Sequence, residues 1–438
     1  MQVSKWAALG ALALCLVIVA TVMHAPHLYY MTAILLTLPG VSYLLGWYML
    51  YHLEFSRQIP KVAWEGEEGD LQYSVRNPTR FARFFLSLHE PLPAWMSSPA
   101  QENALFNIGA NEEIRVINRV FFHRRGVYRS DGFEVAAMDP LGVFAFTRHY
   151  AADGELVVYP LPQSLRQTAL TGAERYGWQE FTSRLLRGSS VDPDGVRPYI
   201  PGDPMRRIHW RQTARTGKMS VIEFEESQAT NLVIALDLKE GTVTGEGTET
   251  TLEYGVRLAA SLAQEAIQQG ASVRLLLPPL PESERQDDPD RQVIFAANSD
   301  GRGQPHLFLL LDALARVQAT SRVPLHKTVA ENAVTVQPGT TLVLITSDRE
   351  MALCDSFLPY MSIGVKIAIV FIEPASFVAA PSRRDIAQSE TFLRGLAALH
   401  MPTFVLRSNP NGALNPEEVR YDSALETLKP VDATLSRN

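Results

Sequence analysis

The chain has 438 residues, a length that predicts two or three folded units rather than one core. Hydrophobic residues at 46% and charged residues at 20% exclude global disorder, and 40 Lys plus Arg against 47 Asp plus Glu exclude a generally basic nucleic-acid coat. The two cysteines, Cys15 and Cys354, exclude a disulfide framework and a cysteine-rich zinc site.

Residues 1–54 read as a helical hairpin with two membrane spans, about 7–23 and 28–53. Ala7 to Met23 carries no charge, and Leu28 to Leu53 carries none beyond His52. His24 to His27 is the whole connection, and Pro39-Gly40 predicts a kink in the second span. Tyr29, Tyr30, Trp47, Tyr48 and Tyr51 sit near its ends, where amphipathic rings settle at the interface. Lys5 precedes the spans while Arg57 and Lys61 follow them, so the positive-inside bias places both termini and the soluble body in the cytoplasm. A cleaved signal peptide ending near Ala20 is the alternative.

Residues 55–160 alternate with period two, as in Leu71 to Val75 and Ile114 to Ile117, with turn signals at Asn77-Pro78 and Asp139-Pro140. The pattern predicts a small all-β sandwich. Residues 161–228 form a connecting region. Between Arg184 and Lys218 it holds eight basic residues against three acidic ones.

Residues 229–407 switch rhythm. Strand-like segments at 232–236 (a continuous apolar run), 272–277, 341–346, 366–371 and 403–406 alternate with helical patterns at about 250–269, 307–317, 351–360 and 386–399. Strands apolar on both faces, interleaved with helices, predict a parallel sheet covered on both sides, a Rossmann-like α/β layer structure. Pro278 to Pro305 reads as a mobile polar insertion, and residues 408–438 as a polar tail.

The common catalytic signatures are missing. Gly217-Lys218 lacks the rest of a P-loop, and no G-x-S-x-G, H-E-x-x-H or G-x-G-x-x-G is present. The informative stretch is Arg197 to Lys218. Asp203 suits an N-cap and Pro204 the first helical position, with the helix running to about Arg215 and Gly217 at C′. Arg207, Arg211 and Arg215 then share one face, while Trp210 and Ala214 are expected to pack inward. Two readings of the arginines stay open. They pair with carboxylates such as Glu223 and Glu225, or they form an exposed cationic face for an acidic partner, an anionic ligand or lipid.

Arg197-x-Tyr199-x-Pro201-Gly202-Asp203, Ile208-x-Trp210 and Ala214-Arg215 resemble the signature of the bacterial family called domain of unknown function 58. Arg125-Gly126-x-Tyr128 and Asp139-Pro140-Leu141-Gly142-Val143-Phe144 resemble it too. The resemblance implies two N-terminal spans, a β-rich domain and a von Willebrand factor A-like domain. It also implies partnership with a MoxR-type AAA+ ATPase and a membrane protein with a transglutaminase-like domain. Binding or docking residues would then be Arg197, Tyr199, Gly202, Asp203, Arg207, Arg211 and Arg215. In metal-binding A-like domains the first strand ends in D-x-S-x-S. Here Asp237 matches, but Lys239 and Gly241 replace both serines, and Asp348 resembles the later aspartate. Lys239 is therefore expected to pair with Asp237 or Asp348 in place of an ion. Mg²⁺ or Mn²⁺ is not expected, and no cofactor is implied. A plain strand-end cap at Asp237 is the alternative.

The expected function is a membrane-anchored cytoplasmic scaffold at the bacterial inner membrane, assembling or maturing envelope-associated complexes with that ATPase. One rival is a hydrolase or transferase that binds an anion through the Arg197–Lys218 cluster and moves protons at Asp203 or His209. A cation-dependent adhesion module is the other, and Lys239 argues against it.

Overall fold

The computed structural model describes residues 2–22, 26–98, 105–139, 142, 144–163, 193–198, 210–224, 231–278, 289–399, 401–409, 414, 416–422 and 427–430. The chain divides into two compact units, Met1–Val158 and Tyr159–Asn438.

The first unit opens with helices Gln2–Val22 (α1) and Pro26–Met49 (α2). Within α2, His27–Met49 is long and apolar enough to cross a membrane, with a mean hydropathy of 1.5. The apolar stretch of α1, Gly10–Val19, is shorter. Pro39 lies inside α2, and the helix continues through it.

Nine strands follow: Glu54–Gln58 (β1), Val62–Trp64 (β2), Glu68–Arg76 (β3), Arg83–His89 (β4), Met96–Ser97 (β5), Phe106–Ile108 (β6), Glu113–Phe122 (β7), Gly126–Met138 (β8) and Ala145–Tyr159 (β9). They form two antiparallel sheets, ordered β1-β3-β7-β5 and β2-β9-β8-β4-β6. Leu71, Tyr73, Val75, Val120 and Phe122 of the first face Leu86, Phe133, Val135, Leu156 and Val158 of the second across one core. The alternation predicted from sequence is the cause, since period-two strands bury one face each. Met49, Leu50 and Leu53 join that same core, so the end of α2 is continuous with the sandwich.

One buried ion pair lies in this core. Arg57 Nη1 sits 2.5 Å from Glu90 Oε1, with the two side chains 1% and 0% exposed. Tyr73 and Tyr128 both donate to Glu90, and Ser130 Oγ accepts a further bond from Arg57 at 2.8 Å. The charge of Arg57 is spent on Glu90, while Lys61 and Arg80 remain exposed.

In the second unit, Pro193–Pro198 (β10) pairs antiparallel with Ser220–Phe224 (β11), and Trp210–Thr216 (α3) lies between them in sequence. Then come Leu232–Leu236 (β12), Gly245–Glu246 (β13), Glu249–Thr250 (β14), Thr251–Gln268 (α4), Val273–Leu276 (β15), Pro289–Ala297 (α5), Gly303–Arg316 (α6) and Leu325–Glu331 (α7). Thr341–Thr346 (β16), Ala352–Asp355 (α8), Leu358–Ser362 (α9), Lys366–Ile372 (β17), Arg383–Ala398 (α10), Thr403–Leu406 (β18), Glu417–Asp422 (β19) and Thr427–Pro430 (β20) complete it. The main sheet has the order β15-β12-β16-β17-β18-β19-β20. Its first five strands are parallel.

β12, β15 and β16 are buried at every position, Arg274 of β15 included, as strands covered on both faces require. Each fully buried Leu or Ile contributes roughly 1.5–3 kcal/mol relative to exposure. α4 starts where Thr250 accepts from Glu253 N at 3.2 Å. Gly255 lets it lie close on the sheet, for a Cβ there would meet Leu236 Cδ1 at 3.1 Å.

Two expectations are corrected. The insertion at 278–305 contains α5, and Gly301 N and O bond Val273, so much of it is ordered against the sheet edge; residues 279–288 lie outside the described ones. The tail contributes β19 and β20, which extend the sheet antiparallel from β18.

Candidate functional site at the carboxyl edge of the parallel sheet

From β12 the chain returns to β15 on one side and reaches β16 on the other. That reversal is a topological switch point, where the loops leaving neighbouring strands diverge and open α/β sheets place ligands. Asp237 follows β12 and Asp348 follows β16, so the switch point brings both carboxylates to one edge.

Asp237 is buried, and both of its oxygens are engaged. Oδ1 accepts from Lys239 N at 3.0 Å and Oδ2 from Thr346 Oγ1 at 2.8 Å. The same Thr346 hydroxyl accepts from Asp348 N at 2.9 Å, which ties the two loops together. Burial raises the Asp237 carboxyl above its ordinary range, against the lowering effect of those two hydrogen bonds.

Lys239 reaches across the edge. Its Nζ lies 2.6 Å from Asp348 Oδ2 and 3.4 Å from Glu350 Oε2. Partial burial pulls its pKa down, but the hydrogen bond and charge of Asp348, with Glu350 behind, outweigh this and raise it. The loop is held from outside: Glu240 N donates to Ser321 O at 2.8 Å, and Ser321 N to Leu238 O at 3.0 Å. Thr242 Oγ1 donates to Lys239 O at 2.8 Å, and Ser347 Oγ to Thr242 O at 3.1 Å. His326 Nδ1 completes the rim, 3.4 Å from Glu350 without hydrogen-bond geometry.

The donor set does not fit a divalent cation. A hard cation needs several oxygen ligands. Here Asp237 is saturated by protein donors, and an ammonium already sits on Asp348. Among the described residues, no three His, Cys, Asp or Glu side chains gather to hold a metal.

The arginine segment lies apart from this edge in sequence. Arg197 is on β10, opposite Val221 of β11. Tyr199, Gly202, Asp203 and Arg207 lie outside the described residues. Arg211 and Arg215 stand on α3, both exposed, and Gly217 adopts φ 71° as a C′ residue should. Trp210 is 64% exposed and Ala214 is exposed too, which corrects the expectation that they pack inward. Thr213 Oγ1 accepts from Ser220 N at 3.1 Å, so the Thr213 side of α3 turns to β11 and leaves Trp210 outward.

The engagement of Glu350 and Ser321 was missed from sequence. Neither belongs to a recognisable motif, and only the fold brings them to the edge.

A family model described as "Protein of unknown function DUF58" matches residues 195–285. Over that segment the chain is similar to the DUF58 family. The matched segment runs from β10 through α3 and β12 to β15, and so includes Arg211, Arg215, Asp237 and Lys239. No curated protein matches the chain. Among solved structures it is similar to an arginine-to-glutamate mutant of the SrpA adhesin from Streptococcus sanguinis. Identity there is 13%, with 34% of this chain and 83% of that one covered, and a TM-score of 0.17 that supports no argument.

Proposed function

We propose that this protein is a membrane-anchored interaction module whose second unit is a von Willebrand A-like docking domain. α2 serves as its anchor, and the soluble units face the cytoplasm of a bacterial cell. The observation that carries the reading is the exposed Trp210-Arg211-Arg215 face of α3, inside the family-matched segment. Tryptophan and arginine dominate the energetics of protein interfaces, and a Trp left 64% exposed gains from being covered. The cations select an acidic surface. A MoxR-type AAA+ ATPase is the partner implied by the family resemblance, and the work of the pair is assembly or maturation of envelope-associated complexes.

Support for the A-like reading comes from the parallel strand order with Asp237 and Asp348 at the switch point. In that reading Lys239 stands where metal-binding relatives hold an ion, so docking proceeds without a bridging cation. The test is affinity capture from the native host in detergent, comparing wild type with a folded Arg207→Glu, Arg211→Glu, Arg215→Glu variant. An AAA+ ATPase captured by wild type and lost in the variant supports α3 as the contact. Equal capture by both moves docking elsewhere, and no ATPase in either overturns the reading.

A further inference from the structure

We propose that the end of the sandwich bearing Phe81, Phe84 and Phe85 is itself immersed in the lipid interface beside α2, as a second membrane contact. This rests on α2 spanning a bilayer.

Three large aromatic side chains are exposed there: Phe81 at 66%, Phe84 at 45% and Phe85 at 44%. Period two would turn one of two neighbouring residues inward. β4 avoids this with a bulge against β6, in which three steps from Arg83 to Leu86 oppose two from Ile108 to Phe106. Phe85 adopts φ 55°, a left-handed conformation that is strained for an aromatic residue. Phe85 N donates to Asn107 Oδ1 at 2.9 Å, which braces the bulge. Backbone strain that presents two phenylalanines to water gains nothing. The same strain presenting them to acyl chains is offset by burial.

The patch is continuous with the anchor. Phe81 meets Tyr48 of α2 edge-on at 6.3 Å, and Phe84 N lies 3.4 Å from Met49 Sδ. Trp47 and Tyr51, exposed and stacked at 5.2 Å, complete an aromatic group at this end of the helix. Aromatic rings are enriched at that depth of a bilayer. The adjacent exposed Arg80 suits anionic headgroups. The sandwich also climbs the helix. Asp139 is bonded by Ser42, and Phe144 and Phe146 pack on Tyr43 at 5.2 and 5.1 Å. Ser42 precedes Met49 by about 10 Å at helical rise, so this end of the sandwich lies level with the apolar part of α2.

The full chain, with Cys15→Ser and Cys354→Ser, is placed in vesicles of phosphatidylethanolamine and phosphatidylglycerol. Single cysteines at Leu36, Phe81, Phe84 or Ile117 carry a fluorescent label, and lipids with a shallow or a deep nitroxide supply the quencher. Variants are admitted when their melting curves match wild type. Leu36 lies in α2, and exposed Ile117 lies on the opposite sheet. The expected result is deep quenching at 36, shallow quenching at 81 and 84, and several-fold weaker quenching at 117. Quenching at 36 with 81 and 84 matching 117 overturns the proposal and leaves the anchor standing. No quenching at 36 overturns the anchor and the proposal together.

Discussion

Lys239 Nζ lies 2.6 Å from Asp348 Oδ2, joining the loops that follow β12 and β16 across 109 residues of sequence. The pair sits at the switch point, where an open α/β sheet would otherwise admit a ligand. Replacing Lys239→Ser removes the ammonium and leaves Asp348 and Glu350 facing each other. The expected cost is about 1 kcal/mol, because the pair is only partly buried. Calorimetry with Mg²⁺ should give no saturable heat for wild type. Saturable heat in wild type that disappears in a folded Asp237→Ala variant would show that an ion competes successfully with the lysine.

The buried pair Arg57–Glu90 supports a sharper prediction. Glu90→Gln strips the countercharge from a guanidinium that is 1% exposed, which costs about 3–5 kcal/mol. Replacing both partners by apolar residues, Arg57→Met with Glu90→Leu, should recover most of that loss, although Tyr73 and Tyr128 lose an acceptor. Denaturant melts of the single and double variants measure the coupling. Additive losses would mean that the ion pair is no more than two independent packing residues.

Tyr73 and Tyr128 give a pH dependence with a definite sign. Burial first, and then Glu90 through its charge and its hydrogen bonds, raises both phenols well above their ordinary value. Between the unfolded value near 10 and the raised folded value, the folded protein holds protons that the unfolded chain has lost. Their contribution is therefore complete below about pH 10 and is lost as the pH rises beyond it. Stability should fall there, and Tyr73→Phe should flatten the fall. Tyrosinate absorbance is the check: all 14 tyrosines ionising together near pH 10 in a folded protein would sink the account.

Much of the second unit was legible because its signals are local. Unbroken apolar runs marked β12, β16 and β17, and the pattern at 250–269 marked α4 within a residue at each end. β19 and β20 escaped notice because Glu417-Glu418-Val419-Arg420 is too polar for a core strand. It pairs antiparallel with β18 and β20 at the end of the sheet. Long-range facts were the least visible. Arg83 is fully buried with its guanidinium 3.8 Å over the Tyr48 ring, and nothing in its sequence context distinguishes it from exposed Arg80. Trp210 followed the general preference for burial, but α3 is only seven residues long and turns Thr213 to β11.

The contact between α2 and the sandwich carries the last prediction. Ser42, 3% exposed, donates to Asp139, 2% exposed, and Phe144 N donates to the other Asp139 oxygen at 2.6 Å. Four residues on, Gly46 packs so closely that a Cβ would come within 2.6 Å of Phe146 Cε2 and 3.2 Å of Asp139 Cβ. Ser42→Ala withdraws one donor from a buried carboxylate and should cost about 1–3 kcal/mol. Gly46→Val should cost more, since Phe146 is itself held against Tyr43 and has to move as a unit with it. Limited proteolysis of the full chain in detergent reads the effect: cleavage between α2 and β1 should accelerate in both variants, with Gly46→Val the faster. Unchanged cleavage in both would mean that the Ser42 and Gly46 contacts do not govern how the helix is held, and that the contacts nearer Met49 do. Disruption at Ser42 and Gly46 would then leave the position of α2 on the sandwich unchanged.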